Sequence, residues 1–232
     1  MPTHLGPHSL EDHFLIALIV ADGDIPDRAD VDRLLAPGGP DLVVAADGGA
    51  LKAQALGYKP DVVVGDSDSL PAAAADELRA AGVPVIVHPS VKDESDTELA
   101  VREALARDAT TLTVIGAFGG ARLEHTIANL LLLAMPELAG RDVRLADGAS
   151  VVRLLEPGAS LVIHGQRGDF VSLLPLAPRV EGVTTEGLEY PLRDEALTQG
   201  PARGLSNVMT SATATVSVRA GRLFVVHTRA AA

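Results

Sequence analysis

Five short apolar runs follow one another in the first half of the chain, and helix-like stretches separate the later ones. No other feature restricts the possible folds as much. "FLIALIVADG" (14–23) is a continuous apolar run stopped by Asp-Gly, as in a strand buried on both faces. "DLVVAADGG" (41–49) repeats the pattern and leads into the helical "ALKAQALGY". "DVVVGDSDS" leads into the alanine-rich "AAAADELRAAG", closed by Gly82. "VPVIVHP" precedes "SDTELAVREALARD", whose Ser95 and Glu98 have capping-box spacing. "TLTVIGAFGG" precedes "LEHTIANLLLLAM", an apolar-faced helix stopped by Pro136. Such alternation implies parallel strands joined by crossover helices. "DVRLADG" (142–148) adds a sixth strand, expected at the edge.

From about residue 146 the helical patterns stop. Short β-like pieces take over between Gly and Pro signals, among them "SVVRLLEPG", "SLVIHGQRG", "DFVSLLPL", "VEGVTTEGL", "TATVSVRAG" and "RLFVVHT". The expected fold is an α/β N-terminal domain with a mostly parallel sheet, residues 1–145. A small all-β sandwich or barrel domain, residues 146–232, follows it.

Charge and composition narrow the partners. A net charge of −12 disfavours nucleic acid and anionic membrane surfaces. It also means that a polyanionic ligand would need metal ions or helix N-termini to offset the repulsion. The absence of cysteine excludes disulfides and thiolate metal sites and fits a reducing cytoplasm. "MPTHLGPHSLEDH" lacks the basic-then-apolar pattern of a signal peptide, and no apolar run is long enough to span a bilayer. The expected location is cytoplasmic.

In an open parallel sheet, ligands bind at the C-terminal ends of the strands. The conspicuous polar groups fall there: Asp22 and Asp24, then Asp47-Gly48-Gly49, then Asp66 and Asp68. Lys92, Asp93 and Asp96 follow the fourth strand, and Gly119-Gly120-Ala121-Arg122 the fifth. Asp66 and Asp68 are two residues apart, so in extended backbone both carboxylates project to one side. They would repel each other unless a cation lay between them. Mg²⁺ suits such a place, because it takes oxygen ligands and few carboxylates, and Asp96 could supply a third. On spacing alone, the same residues could be a solvated Asp-Ser turn.

The glycines of "GAFGGARLEH" would let backbone N–H groups approach a phosphate at a helix start, and Arg122 could fork onto its oxygens. A tight connection would use the same glycines. His125 and Asn129 lie four apart, on one helical face with Arg122 and Glu124 near by, and could line a site or serve only the packing. Neither a dinucleotide fingerprint nor a Walker motif is present.

In order along the chain, "AADGGA" (45–50), "PDVVVGDSDSL" (60–70), "KDESDTELA" (92–100), "GAFGGARLEHTIANLLLL" (116–133), "VTTEGLEYPL" (183–192) and "GLSN" (204–207) resemble the thiamine pyrophosphokinase family. The resemblance implies Mg²⁺-dependent transfer of pyrophosphate from ATP to the hydroxyl of thiamine, giving thiamine diphosphate and AMP. It implies a homodimer with active sites at the subunit interface, ATP and Mg²⁺ on the α/β domain, and thiamine in a cleft completed by the partner's β domain. Carried across by position, Asp66, Asp68 and Asp96 match metal-binding aspartates. The same resemblance implies that Asp47 belongs to the nucleotide-site motif, that Lys92 and Asp93 flank the metal, and that Arg122 matches a phosphate-side arginine. Ser206 and Asn207 match a thiamine-contacting pair.

Glu124 stands where the family usually has Asp, Ser67 where an aromatic is common, and Ser95 where Thr is usual. Asp96 and Glu124 are the candidates for taking the hydroxyl proton. A Mg²⁺-dependent phosphohydrolase and a non-catalytic thiamine- or nucleotide-binding module are the alternative readings.

Overall fold

The computed structural model describes residues 15–35 and 37–230; the N-terminal stretch read above for a leader lies outside them. The first half alternates as expected: β1 (Leu15–Val20), α1 (Arg28–Leu34), β2 (Leu42–Ala46), α2 (Gly49–Ala55), β3 (Val62–Gly65), α3 (Ala72–Ala80), β4 (Val85–Val87), α4 (Asp96–Ala106), β5 (Ala109–Ile115), α5 (Leu123–Leu132) and β6 (Asp142–Ala146). The second half is β7 (Ser150–Leu155), β8 (Ser160–His164), β9 (Phe170–Pro175), β10 (Arg179–Glu186), β11 (Glu195–Thr198), β12 (Asn207–Val208), β13 (Thr213–Ser217) and β14 (Leu223–Thr228).

Helix α1 was not foreseen. It is seven residues long and buries only Val31, so it carries almost no apolar period; its start is fixed by Asp27, whose side chain accepts from Asp30 N. The capping box of α4 is half made. Ser95 Oγ accepts from Glu98 N at 3.1 Å, while the Glu98 carboxylate pairs with Arg102.

Ten strands form one sheet in the order β12-β9-β14-β7-β6-β5-β1-β2-β3-β4. Strands β6, β5, β1, β2, β3 and β4 run parallel to one another. The expectation of an edge position for β6 is corrected: it pairs with β5 on one side and antiparallel with β7 on the other. Both backbone edges of a strand can pair, and nothing in the side-chain pattern of β6 marks which strand is its second neighbour.

Moving outward from β1 to β4, the crossovers place α1, α2 and α3 on one face, where Val31, Ala53 and Leu56 pack on Leu18 and Val20, and Ala75 and Leu78 on Ala45 and Val63. The return from β4 to β5 reverses direction, so a right-handed crossover puts α4 on the opposite face. There Leu99, Ala100 and Ala104 pack over Ile19, Val44, Val62 and Val114.

Beyond β6 the sheet is antiparallel, and a second sheet, β11-β10-β13-β8, covers one side of it. Between them Leu155, Val171, Leu173, Leu223 and Val225 meet Ile163, Val180, Val183, Leu197, Ala214 and Val216 in a sandwich core. On the other side, which continues the α4–α5 face, Leu154, Phe224 and Val226 are only partly buried, and Phe170 and Leu174 stay exposed. Helix α5 is apolar as expected, but Leu123 (72% exposed), Ile127 and Leu131 form an outward stripe.

Candidate functional site

A cleft of about 690 Å³ opens at the C-terminal ends of the parallel strands. Every one of the five strand ends from β1 to β5 contributes to it: Asp22 and Gly23, Asp47, Asp66 and Asp68, Lys92 to Asp96, and Gly116, Ala117 and Gly119 to Arg122. It includes the ends of β1 and β5, neighbouring strands whose crossovers leave toward opposite faces of the sheet.

Two glycines make this crowding of loops possible. A Cβ on Gly49 would lie 2.1 Å from Val20 O, so only glycine lets α2 start directly against the end of β1. A Cβ on Gly116 would lie 2.3 Å from Ala21 O, and its φ of +69° suits glycine. The two loops are then tied by Gly23 N to Gly116 O at 2.8 Å and Asp24 N to Phe118 O at 2.7 Å. Lys52, which the sequence did not single out, reaches across from α2 to Gly23 O at 2.6 Å and to the Asp22 carboxylate at 3.0 Å.

At the floor of the cleft, Asp47, Asp66, Asp68 and Asp96 each offer a carboxylate oxygen, all within 4.8 Å of one another. Asp47, expected in the nucleotide motif, therefore joins the three aspartates expected at a metal. It is buried, has a left-handed φ of 45°, and is held by Ser69, whose N–H and hydroxyl donate to Oδ2 at 2.8 and 2.7 Å. Its place at the end of β2, as one of the aspartates that follow successive strands, was the available signal. Lys92 Nζ sits 3.2 Å from Asp66 Oδ2 and 3.1 Å from Asp96 Oδ1.

The ionisation of the cluster follows its crowding. The hydrogen bond with the Asp47 carboxylate raises Asp68, and burial adds to it. Burial raises Asp96 despite Lys92. At Asp66 burial pulls upward too, but the Asp68 N–H and the Lys92 ammonium outweigh it and the net direction is down. Asp96 Oδ1 is fully buried and, although ion-paired, has no partner in hydrogen-bonding geometry. Clustered oxygen donors with one buried acceptor unsatisfied fit a hard divalent cation such as Mg²⁺.

Asp93, Arg122, His125 and Asn129 line the same cleft. Asn129 is buried and spends its amide on Ala117 O at 2.8 Å, so it holds the glycine loop from behind. Glu124 is not among the lining residues. Its carboxylate turns to Arg122 Nε at 2.7 Å, and that contact holds its pKa below the usual glutamate value.

Ser206 and Asn207 are also outside the cleft. Ser206 N donates to Ser172 Oγ at 3.0 Å, and Asn207 clamps Tyr190, accepting from its N–H at 3.0 Å and donating to its carbonyl at 2.7 Å. Tyr190 is left 66% exposed beside them.

Two family models match the chain, one in each half. The family model "Thiamin pyrophosphokinase, catalytic domain" matches residues 39–145, and "Thiamin pyrophosphokinase, vitamin B1 binding domain" matches residues 161–223. The chain belongs to the thiamin pyrophosphokinase family. Thiamine pyrophosphokinase of Bacillus subtilis is 25% identical over 186 residues, 80% of this chain and 86% of that one. Two crystal structures share the fold with a TM-score of 0.78. One is the thiamin pyrophosphokinase family protein of Enterococcus faecalis, at 28% identity over 94% of this chain and 100% of that one. The other is thiamin pyrophosphokinase of Geobacillus thermodenitrificans, at 26% identity over 94% and 99%. The four clustered aspartates lie in the segment matched by the family's catalytic domain, and Ser206 and Asn207 in that matched by its vitamin B1 binding domain.

Proposed function

We propose that this chain is a thiamine diphosphokinase, which with Mg²⁺ transfers the pyrophosphoryl group of ATP to the hydroxyl of thiamine, giving thiamine diphosphate and AMP. The observation that carries the reading is the group of four clustered carboxylates, with the buried Asp96 Oδ1, ion-paired but without a hydrogen-bond partner, among them, inside the segment matched by the catalytic domain.

Asp66, Asp68 and Asp96 would hold the ion, with Asp47 as a further ligand. When bound, Mg²⁺ offsets phosphate charge and orients the phosphates for in-line attack. The glycine loop before α5 supplies backbone N–H groups, and Arg122 and Lys92 are the cationic side chains for the triphosphate. The thiamine oxygen bonds to the β-phosphorus as the bridge to the α-phosphate breaks and AMP leaves. The hydroxyl proton passes to a carboxylate; of the two considered, Asp96 lines the cleft and Glu124 does not. Most of the rate enhancement is positioning and electrostatics.

Residues 1–145 are assigned to ATP and Mg²⁺ and residues 146–232 to thiamine, in a cytoplasmic enzyme. Among the described residues no helix is long and apolar enough to cross a membrane. The working form in this proposal is a homodimer. Support comes from the outward stripe of Leu123, Ile127 and Leu131, the exposed Phe170 and Leu174 on the same sheet face, and the position of Ser206 and Asn207 outside their own chain's cleft. A second copy would cover the apolar surface and complete the site.

The test is product identity, with purified protein, ATP, thiamine and Mg²⁺ separated by chromatography. Thiamine diphosphate and AMP in equal amounts, lost with EDTA, is the expected result. Phosphate release without thiamine would instead mean a hydrolase, and binding without product a non-catalytic module.

A further inference from the structure

The Lys92 ammonium is itself a cation shared by Asp66 and Asp96. Its Nζ is 3.2 Å from Asp66 Oδ2 and 3.1 Å from Asp96 Oδ1, and the side chain is only 11% exposed. It comes from the loop before α4, four residues ahead of Asp96, and the carboxylates of Asp47 and Asp68 stand within the same small space. Mg²⁺ binds oxygen at about 2.0–2.1 Å. An ion ligated by those two oxygens would therefore press against the ammonium, and two cations so close repel strongly in a partly buried site.

We infer that Lys92 is a tethered counter-ion of the carboxylate cluster, displaced when a divalent cation binds, so that metal binding is an exchange of one cation for another. The inference rests on the metal reading above. Lys92 in this view has two positions. In one, it neutralises Asp66 and Asp96 and stabilises the cluster of like charges. In the other, the four-carbon stem carries the ammonium off those oxygens into the cleft, where an anionic substrate can receive it. Lys92 is thus a positioning residue, which opposes the ion until it arrives and is released by it.

This arrangement has an unusual signature. Removing a cation from a cluster of carboxylates should destabilise the fold, yet here it should also tighten metal binding, because nothing need be displaced. A residue that only held the loop in shape would weaken both. Lys92→Met is expected to lower the melting temperature without metal and to tighten Mg²⁺ affinity, measured by calorimetry without nucleotide, by about tenfold, or roughly 1.4 kcal/mol.

A second measurement uses the natural chain. Its lysines are Lys52, Lys59 and Lys92, so acetylation can be followed at each by peptide mass spectrometry. Saturating Mg²⁺ should speed labelling of Lys92 several-fold and leave Lys52 and Lys59 unchanged. Equal or weaker Mg²⁺ affinity in Lys92→Met, or unchanged labelling of Lys92, would overturn the inference while leaving the metal site intact. Failure of the natural chain to bind Mg²⁺ at all would overturn the metal reading and this inference with it.

Discussion

Ser69 holds the carboxylate of Asp47 with two donors on one oxygen, its N–H at 2.8 Å and its hydroxyl at 2.7 Å. One oxygen of Asp47 is thereby committed to the protein, and the other is left for the cluster. Ser69→Ala removes the hydroxyl but keeps the N–H contact, so the fold should survive. Loss of such an outer partner commonly costs tenfold or more in metal affinity, and about that loss is expected in Mg²⁺ titrations. Unchanged affinity would remove Asp47 from the set of ligands.

Metal binding should also depend on pH. The hydrogen bond with Asp47 raises the Asp68 pKa, and burial raises that of Asp96. Protons on these groups compete with Mg²⁺, so affinity should rise as pH rises through their elevated pKa values and then level off. Calorimetry in two buffers of different ionisation enthalpy should show proton release on the acidic side, shrinking as pH rises to 8.

Glu124 offers a sharp distinction between proton transfer and support. A general base typically contributes 10²–10⁴-fold, and its amide replacement loses that. Here the carboxylate is bonded to Arg122 and outside the cleft. Glu124→Gln should keep kcat within about tenfold of the natural enzyme, well short of that range, with any change appearing mainly in KM for ATP through Arg122. A fall of a thousandfold in kcat at unchanged KM would restore Glu124 as the base.

In the sandwich, Asp169 is buried and accepts from Gln166 N at 2.9 Å, Ala230 N at 3.0 Å and the His227 ring at 2.9 Å. Burial alone would raise its pKa, but these donors outweigh it and the net shift is downward. A carboxylate depressed on folding adds stability that is fully present above its unfolded value, near 4, and is lost as pH falls through the folded value. Asp169→Asn should cost about 1–3 kcal/mol at pH 7. The difference in melting temperature should shrink as unfolding is repeated from pH 5 down to pH 3.

The strands with continuous apolar runs, β1, β2, β3 and β5, were legible because burial on both faces leaves no other pattern, and their ends pointed to the aspartates. Helix α1 was not, since a charged seven-residue helix has no period to read. Nor were β11 and β12, where pairing with longer strands, not side-chain pattern, decides the conformation. Asp66 and Asp68 could be grouped from their spacing at a strand end, with Asp96 added from the start of the next helix. Asp47 stood in the same strand-end series, but its distance from them came only with the pairing of β2 and β3. That Glu124 faces Arg122 depended on a rotamer choice, which no spacing encodes.

Ser206 and Asn207 present the largest remaining demand on the assembly, because they lie outside the cleft formed by their own chain. If each active site joins one chain's aspartates to the other's Ser206 and Asn207, two inactive variants should rescue each other. On the proposed reading, Asp68→Asn spoils the cleft and Asn207→Ala the thiamine side. After unfolding and refolding an equal mixture, half the dimers should be mixed, and each mixed dimer should contain one site with both parts intact. Activity should then recover to about one quarter of the natural value, as two-fold symmetry requires. Introducing Ile127→Arg into both chains should abolish that recovery and shift the protein to monomers in sedimentation, because it places a charge in the apolar stripe of α5. Recovery absent despite demonstrated subunit mixing would mean that each chain completes its own site, and the thiamine pair would have to reach the cleft by movement within one chain.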